Sequence, residues 1–126
     1  MALLLAGRAP ERWAAVSAWC GIYDLASWHQ QTKTAGRSYW QMLEAVCGGA
    51  PGTSQLVDSE YRLRSPASWL KNAVGLPLDI AAGISDGHSG SVPVSHSLRA
   101  YNELAAETDR IPESEIVALA AQSRLP

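Results

Sequence analysis

Apolar residues fall in short runs along this chain, and the spacing within each run separates strand from helix. Trp13 to Ile22 (WAAVSAWCGI) is almost continuously apolar over about one strand length. Its lack of clean alternation predicts a strand buried on both faces, as in a parallel sheet. Leu76 to Gly83 (LPLDIAAG) predicts a second strand of the same kind. Ser38 to Val46 has helical spacing, with Ser38 as N-cap and Gly48-Gly49 as stop. Leu56 to Leu70 predicts a short helix broken at Ser65-Pro66. Pro93 to Ala106 places Val94, Leu98, Tyr101 and Leu104 on one face of a helix that Pro93 opens at its first position. Pro112 to Ala121 has acidic residues in its first turn and predicts a short last helix. Met1 to Ala9 is rich in Ala and Leu and favours helix, but no N-cap precedes it, so it reads as the tail of a helix begun elsewhere. Tyr23 to Thr34 is polar and reads as irregular; Ala50 to Ser54 and Ile84 to Val92 are Gly-marked loops.

Helix, strand, helical segment, strand, loop, helix, helix is the order of an α/β fold with a parallel sheet. Two strands alone leave both edges open and bury little area. The expected architecture is therefore one partial α/β domain over residues 1–126, two parallel core strands with flanking helices and a sheet incomplete at both ends. Open edges of this kind also offer pairing with another chain.

Composition narrows the function without naming it. The chain has 126 residues, 47% hydrophobic and 17% charged, with a net charge of −2, so nothing electrostatic favours nucleic acid or an anionic membrane. The opening ALLLA run is shorter than a signal-peptide core and lacks a basic flank, and no stretch reaches the ~20 apolar residues of a spanning helix. A cytoplasmic location is the expectation. Cys20 and Cys47 both sit in apolar runs and are read as buried reduced thiols.

Candidate chemistry is sparse. Asp86 lies in a Gly-rich loop (GISDGHSG) just past the second strand, where α/β folds place reactive groups. Asp86, His88 and His96 have no recognised ligand spacing, so no metal and no cofactor is expected. Ser89 or Ser91 beside His88 on one flexible loop lacks the geometry that a nucleophile and base require. Asp24, after the first strand, reads as a helix-capping carboxylate. Of the five tryptophans, Trp13 and Trp19 fall in the strand pattern and Trp40 and Trp69 in helical patterns, all read as core. Trp28 is placed in a loop at the end of the first strand and is a candidate to line a substrate pocket.

Five blocks, in order, carry a resemblance. MALLLAGRAPERW resembles the helix that follows the G-x-S-x-G-G elbow in the C-terminal catalytic domain of the prolyl oligopeptidase family of α/β-hydrolases. GIYDLASW (Gly21 to Trp28), GGAP (Gly48 to Pro51), YRLRSP (Tyr61 to Pro66) and GISDGHSGSVPVSHSLRAYNEL (Gly83 to Leu104) are similar to later blocks of that domain. The resemblance implies a serine hydrolase, above all a peptidase, that acts by Ser-His-Asp acyl transfer on a peptide or ester substrate, with Asp86 as triad acid. The family serine would precede Met1 and the histidine would follow Pro126, because the order is Ser, Asp, His. No G-x-S-x-G run is present, so these 126 residues alone are expected to be inactive. GHSG (Gly87 to Gly90) lengthens the loop relative to the family, and no substrate-facing basic residue is carried over. The alternative is a non-catalytic module that keeps the scaffold for binding or assembly.

Overall fold

The computed structural model describes residues 1–122. Helices α1 (Ala2–Arg8), α2 (Leu25–Thr34), α3 (Tyr39–Cys47), α4 (Gln55–Arg64), α5 (Val94–Leu104) and α6 (Glu113–Gln122) surround strands β1 (Val16–Trp19) and β2 (Leu78–Ala81). Short 3-10 turns at Pro66–Ser68 and Leu70–Ala73 lead from α4 towards β2. The strands pair in parallel, with Val16 opposite Leu78 and Trp19 opposite Ala81. The expectation of a mixed fold with two parallel strands and flanking helices holds at that level.

Only one face of the sheet is covered. Val16, Ala18, Leu78 and Ile80 point into a core of Leu3, Ala6, Leu70, Ala73 and Ala100. Most of these buried residues are alanines, which lets α1, α5 and the 70–73 turn approach the strands closely. The other face carries Ser17, Trp19 and Asp79. There the Ser17 hydroxyl donates to Asp79 at 3.1 Å and the Trp19 indole donates to Ser17 at 3.0 Å. Trp19 is 75% exposed, so β1 is not a strand buried on both faces. Trp13 is also not core: it lies before the strand and is exposed, its indole donating to the Leu5 carbonyl. The unbroken apolar run misled here because it extends beyond the four paired residues on both sides.

A second cluster holds the helical segment together. Cys47, Val57 and Tyr61 are buried with Leu25, Ala26 and Leu43 packed around them. Residues 25–34 are helical, not irregular, because Asp24 caps them: its side chain accepts from the Ser27 amide at 2.6 Å. The capping role expected of Asp24 is present, and the helix it starts has only a thin buried stripe of Trp28, His29 and Thr32. Ser38 stands at the N-cap of α3 without a side-chain bond, and Gly48 ends that helix with φ +86, a conformation glycine adopts without strain. Trp40 is half-buried under Lys33, and Trp69, also half-buried, lies outside any α-helix between the two 3-10 turns. Pro93 is the N-cap of α5 rather than its first residue.

Ser65 joins the two clusters. It is fully buried, donates to the Tyr61 carbonyl at 2.8 Å and accepts from the Leu25 amide at 2.9 Å. One residue on, Pro66 starts the turn whose Ala67 amide reaches the Tyr23 carbonyl.

Helix α1 meets the rest of the fold at Gly7. A Cβ there would lie 2.6 Å from the Trp69 carbonyl carbon, and the Gly7 carbonyl accepts from the Asn72 side chain at 3.2 Å. Helix propensity alone favours alanine over glycine by up to about 1 kcal/mol. The backbone clash opposes this and outweighs it, since overpacking costs about 1–3 kcal/mol and here the obstacle is main chain. Gly7→Ala is therefore expected to lower the urea midpoint; an unchanged or raised midpoint would show that α1 is not seated on residues 69–72.

Candidate functional site

Parallel pairing brings the C-terminal ends of β1 and β2 side by side, and the residues just beyond each end meet. Cys20 follows β1 and Asp86 follows β2 by one turn. The Cys20 thiol donates to Asp86 Oδ2 at 3.0 Å, and the Gly83 amide donates to the same oxygen at 2.8 Å. Among the described residues Oδ1 has no hydrogen-bond donor. Backbone bonds brace the loop around this carboxylate: the Asp86 amide to the Gly83 carbonyl, and the Val94 amide to the Asp86 carbonyl. Gly87 has φ +90 with Pro93 packed so closely that a Cβ would lie 2.6 Å from its Cα, so the loop turns back tightly onto the start of α5.

Cys20 is exposed, not buried, and is the one non-glycine residue with positive φ among those described, at +48. Its thiol pKa is raised, chiefly by the hydrogen bond to Asp86, because ionising it would place two negative groups in contact. The pair is thus a poor thiolate nucleophile. Cys47 is buried, as expected, and burial pushes its thiol up.

None of the three histidines bonds Asp86. His29 is buried and bonds Glu44 at 2.8 Å, joining α2 to α3, with Tyr61 and Trp40 edge-on to its ring. His88 points away from Asp86, its Nε2 donating to the Ala120 carbonyl on α6 at 2.8 Å. His96 is buried beneath the turn between β1 and α2. Its Nδ1 accepts from the Tyr23 amide at 3.1 Å and faces the Asp24 amide at 3.4 Å, so the proton resides on Nε2, which donates to Gln31 Oε1 at 2.7 Å.

Trp28 lies in the middle of α2 and is buried, not in a loop at the strand end. Its indole donates to the Ser91 carbonyl at 2.8 Å, so it holds the far end of the Asp86 loop. The same ring, with Tyr39 at 5.4 Å, walls an apolar hollow of about 230 Å³ completed by Leu25, Met42, Leu43 and Val46. Trp28 and Asp86 are thus joined through the loop rather than by direct contact.

The arrangement can orient one proton-bearing partner against Oδ1 of Asp86. It supplies no nucleophile–base pair, and among the described residues no three His, Cys, Asp or Glu side chains converge as a metal site would require. In the sequence Cys20 reads only as a thiol in an apolar run, not as a neighbour of Asp86. Its signal is topological: in a parallel pair, residues that follow the two strand ends share one rim of the sheet. No helix of the described residues is long and apolar enough to cross a membrane. In comparisons with known proteins, no family model, no curated protein and no solved structure matches the chain.

Burial holds the His96 pKa down to about 4 from 6.5, helped by the Arg99 charge nearby and opposed by Asp24. The unfolded chain therefore binds a proton that the folded chain refuses between those two values. Stability is expected to be full above pH 6.5 and to fall by at most about 3 kcal/mol as the pH drops towards 4. Urea midpoints across this range test it: His96→Gln should flatten the slope, and an unchanged slope would place the titration elsewhere. The thiol contact has its own readout. Asp86→Asn should speed iodoacetamide alkylation of Cys20 severalfold at pH 8, and an unaltered rate would show that the two groups do not touch.

Proposed function

We propose that this chain is the acid-bearing portion of a serine hydrolase related to the prolyl oligopeptidase family, in which Asp86 orients the catalytic histidine. One observation carries the reading. Asp86 sits on a braced loop beyond the C-terminal end of a parallel strand, with Oδ2 committed to Gly83 and Cys20 and Oδ1 open to one further donor. A triad acid needs this division. One oxygen fixes the carboxylate, and the other accepts the Nδ1–H of the histidine and stabilises the imidazolium during acyl transfer. The order of elements supports it too: the loop leads directly into α5, and Trp28 secures its far end through Ser91.

The serine and histidine would come from outside these residues, since each histidine present is engaged elsewhere. The substrate would be a peptide or an ester, attacked through a covalent acyl-serine. Without a nucleophile elbow there is also no oxyanion donor from it, and the chain by itself is inactive on this reading.

The test uses a fluorophosphonate probe. The chain alone should take up no label. The complete reading frame that contains it should label at a serine, and Asp86→Asn in that protein should lower kcat by about 10⁴-fold while leaving the fold intact by circular dichroism. Labelling of the chain alone, or full activity in the Asp86→Asn protein, would overturn the assignment.

A further inference from the structure

His96 stands between the two segments that hold Asp86. On one side its Nδ1 accepts from the Tyr23 amide at 3.1 Å, in the bend that starts at Cys20, whose thiol donates to Oδ2 of Asp86. On the other, it lies in the first turn of α5, where the Val94 amide donates to the Asp86 carbonyl. Its Nε2 donates to Gln31 of α2, so a single ring ties the bend, α5 and α2 together. The ring is buried, and two charges among the described residues bear on it. Arg99, one turn along α5, resists a second positive charge, and Asp24, at the start of α2, favours one. Nearby, Glu103 accepts from the Tyr23 hydroxyl, and Glu113 of α6 pairs with Arg99. Lys71, Asp79 and Glu115, on the other elements against α5, are exposed. The bend itself, residues 20–24, belongs to no helix or strand.

We infer that His96 is an acid-operated catch: its protonation opens the bend at Tyr23 and Asp24 and releases the Asp86 carboxylate from Cys20, while the helical cluster stays folded. A proton on Nδ1 removes the acceptor and turns an N–H against the Tyr23 amide, with the Asp24 amide close behind. A buried donor left without a partner is costly, and a charged ring more so. One of the three tied segments has to move. Helices α2 and α5 are held by their own ladders and the irregular bend is not, so the bend gives way. The ties beside it carry no titrating group: Ser65 accepts from the Leu25 amide, and the Trp28 indole donates to the Ser91 carbonyl. Opening therefore stops short of α3 and α4. Burial holds the ring unprotonated down to a pH of about 4, against 6.5 when it is released, so the catch is tight above pH 6.5 and loosens as the pH falls towards 4. Overall stability falls with the same titration; the bend opens first. The inference rests on these contacts and not on the catalytic role of Asp86.

Amide hydrogen exchange of the full chain, read by NMR and divided by the intrinsic rate at each pH, is the test. It runs from pH 6.5 down to about 4.5, above the ordinary carboxylate range. The opening constants at Tyr23 and Asp24, and at Gly83 and Val94, whose amides bond Asp86, should rise together by about tenfold per pH unit. They should stay at least about tenfold above those of Cys47 and Tyr61 in the helical cluster and respond little to urea, as a local opening does. His96→Asn, which keeps an acceptor and cannot take up the proton, should abolish the rise. Gln31→Glu keeps the ring and sets a carboxylate against Nε2, which holds the second proton in the closed form, so it should flatten the rise as well. Four results would each overturn the inference: opening at Tyr23 that ignores pH, opening constants equal to those of Cys47 and Tyr61, an unchanged rise in either variant, or Gly83 and Val94 still protected while Tyr23 opens.

Discussion

The fold turns on a neutral imidazole deprived of water. His96 projects from the first turn of α5 into the bend between β1 and α2, and it is there to accept rather than to carry charge. The Tyr23 and Asp24 amides point at its unprotonated nitrogen, and Gln31 receives its one proton. A second proton would set three N–H groups against one another in a site with almost no solvent. The ring therefore joins three segments only in its uncharged form: the start of α5, the bend after β1, and the last turns of α2. Ser65 completes the junction from the other side by capping the Leu25 amide. The sheet cluster and the helical cluster meet here.

Asp86 inherits its position from that junction. The loop that carries it leaves β2, turns at Gly87 and enters α5, whose first turn His96 anchors. His88, in its middle, reaches the Ala120 carbonyl of α6, and Ser91 is held by Trp28 of α2. A loop with such restraints at both ends keeps its carboxylate in one place without a dense hydrogen-bond network around the carboxylate itself. The cost falls on Cys20, which takes a left-handed backbone conformation to bring its thiol under Oδ2.

Much of this was legible from residue pattern. The two parallel strands, the break at Ser65-Pro66, the glycine stop after Cys47 and the amphipathic α5 all follow from local rules, and Asp24 was recognisable as a cap. What could not be read locally depended on neighbours brought from far along the chain. Residues 25–34 looked irregular because a helix that buries only Trp28, His29 and Thr32 has little apolar periodicity to show. Trp19 reads as core because an apolar run carries no record of whether a layer of helices will cover both faces of its strand or only one. Cys20 meeting Asp86, and His96 serving as an acceptor for distant amides, are products of strand adjacency and helix docking, which no spacing within either segment encodes. The placement of Asp86 beyond the second strand was readable; that one of its oxygens is committed and the other open was not.

The crossover between the two strands has a kinetic consequence. Ser17 and Asp79 touch across 62 positions of sequence, and all of α2, α3 and α4 lies between them. Zipping the strands directly would require closing that whole loop before any ladder bond could compensate for the lost chain entropy. The intervening helices contact one another through Cys47, Val57 and Tyr61, so packing them first would shorten the effective loop between the strand segments. Loop-closure entropy therefore favours assembly from the middle outwards, the helical segment first and the sheet rim that holds Cys20 and Asp86 later, an order that refolding kinetics would read.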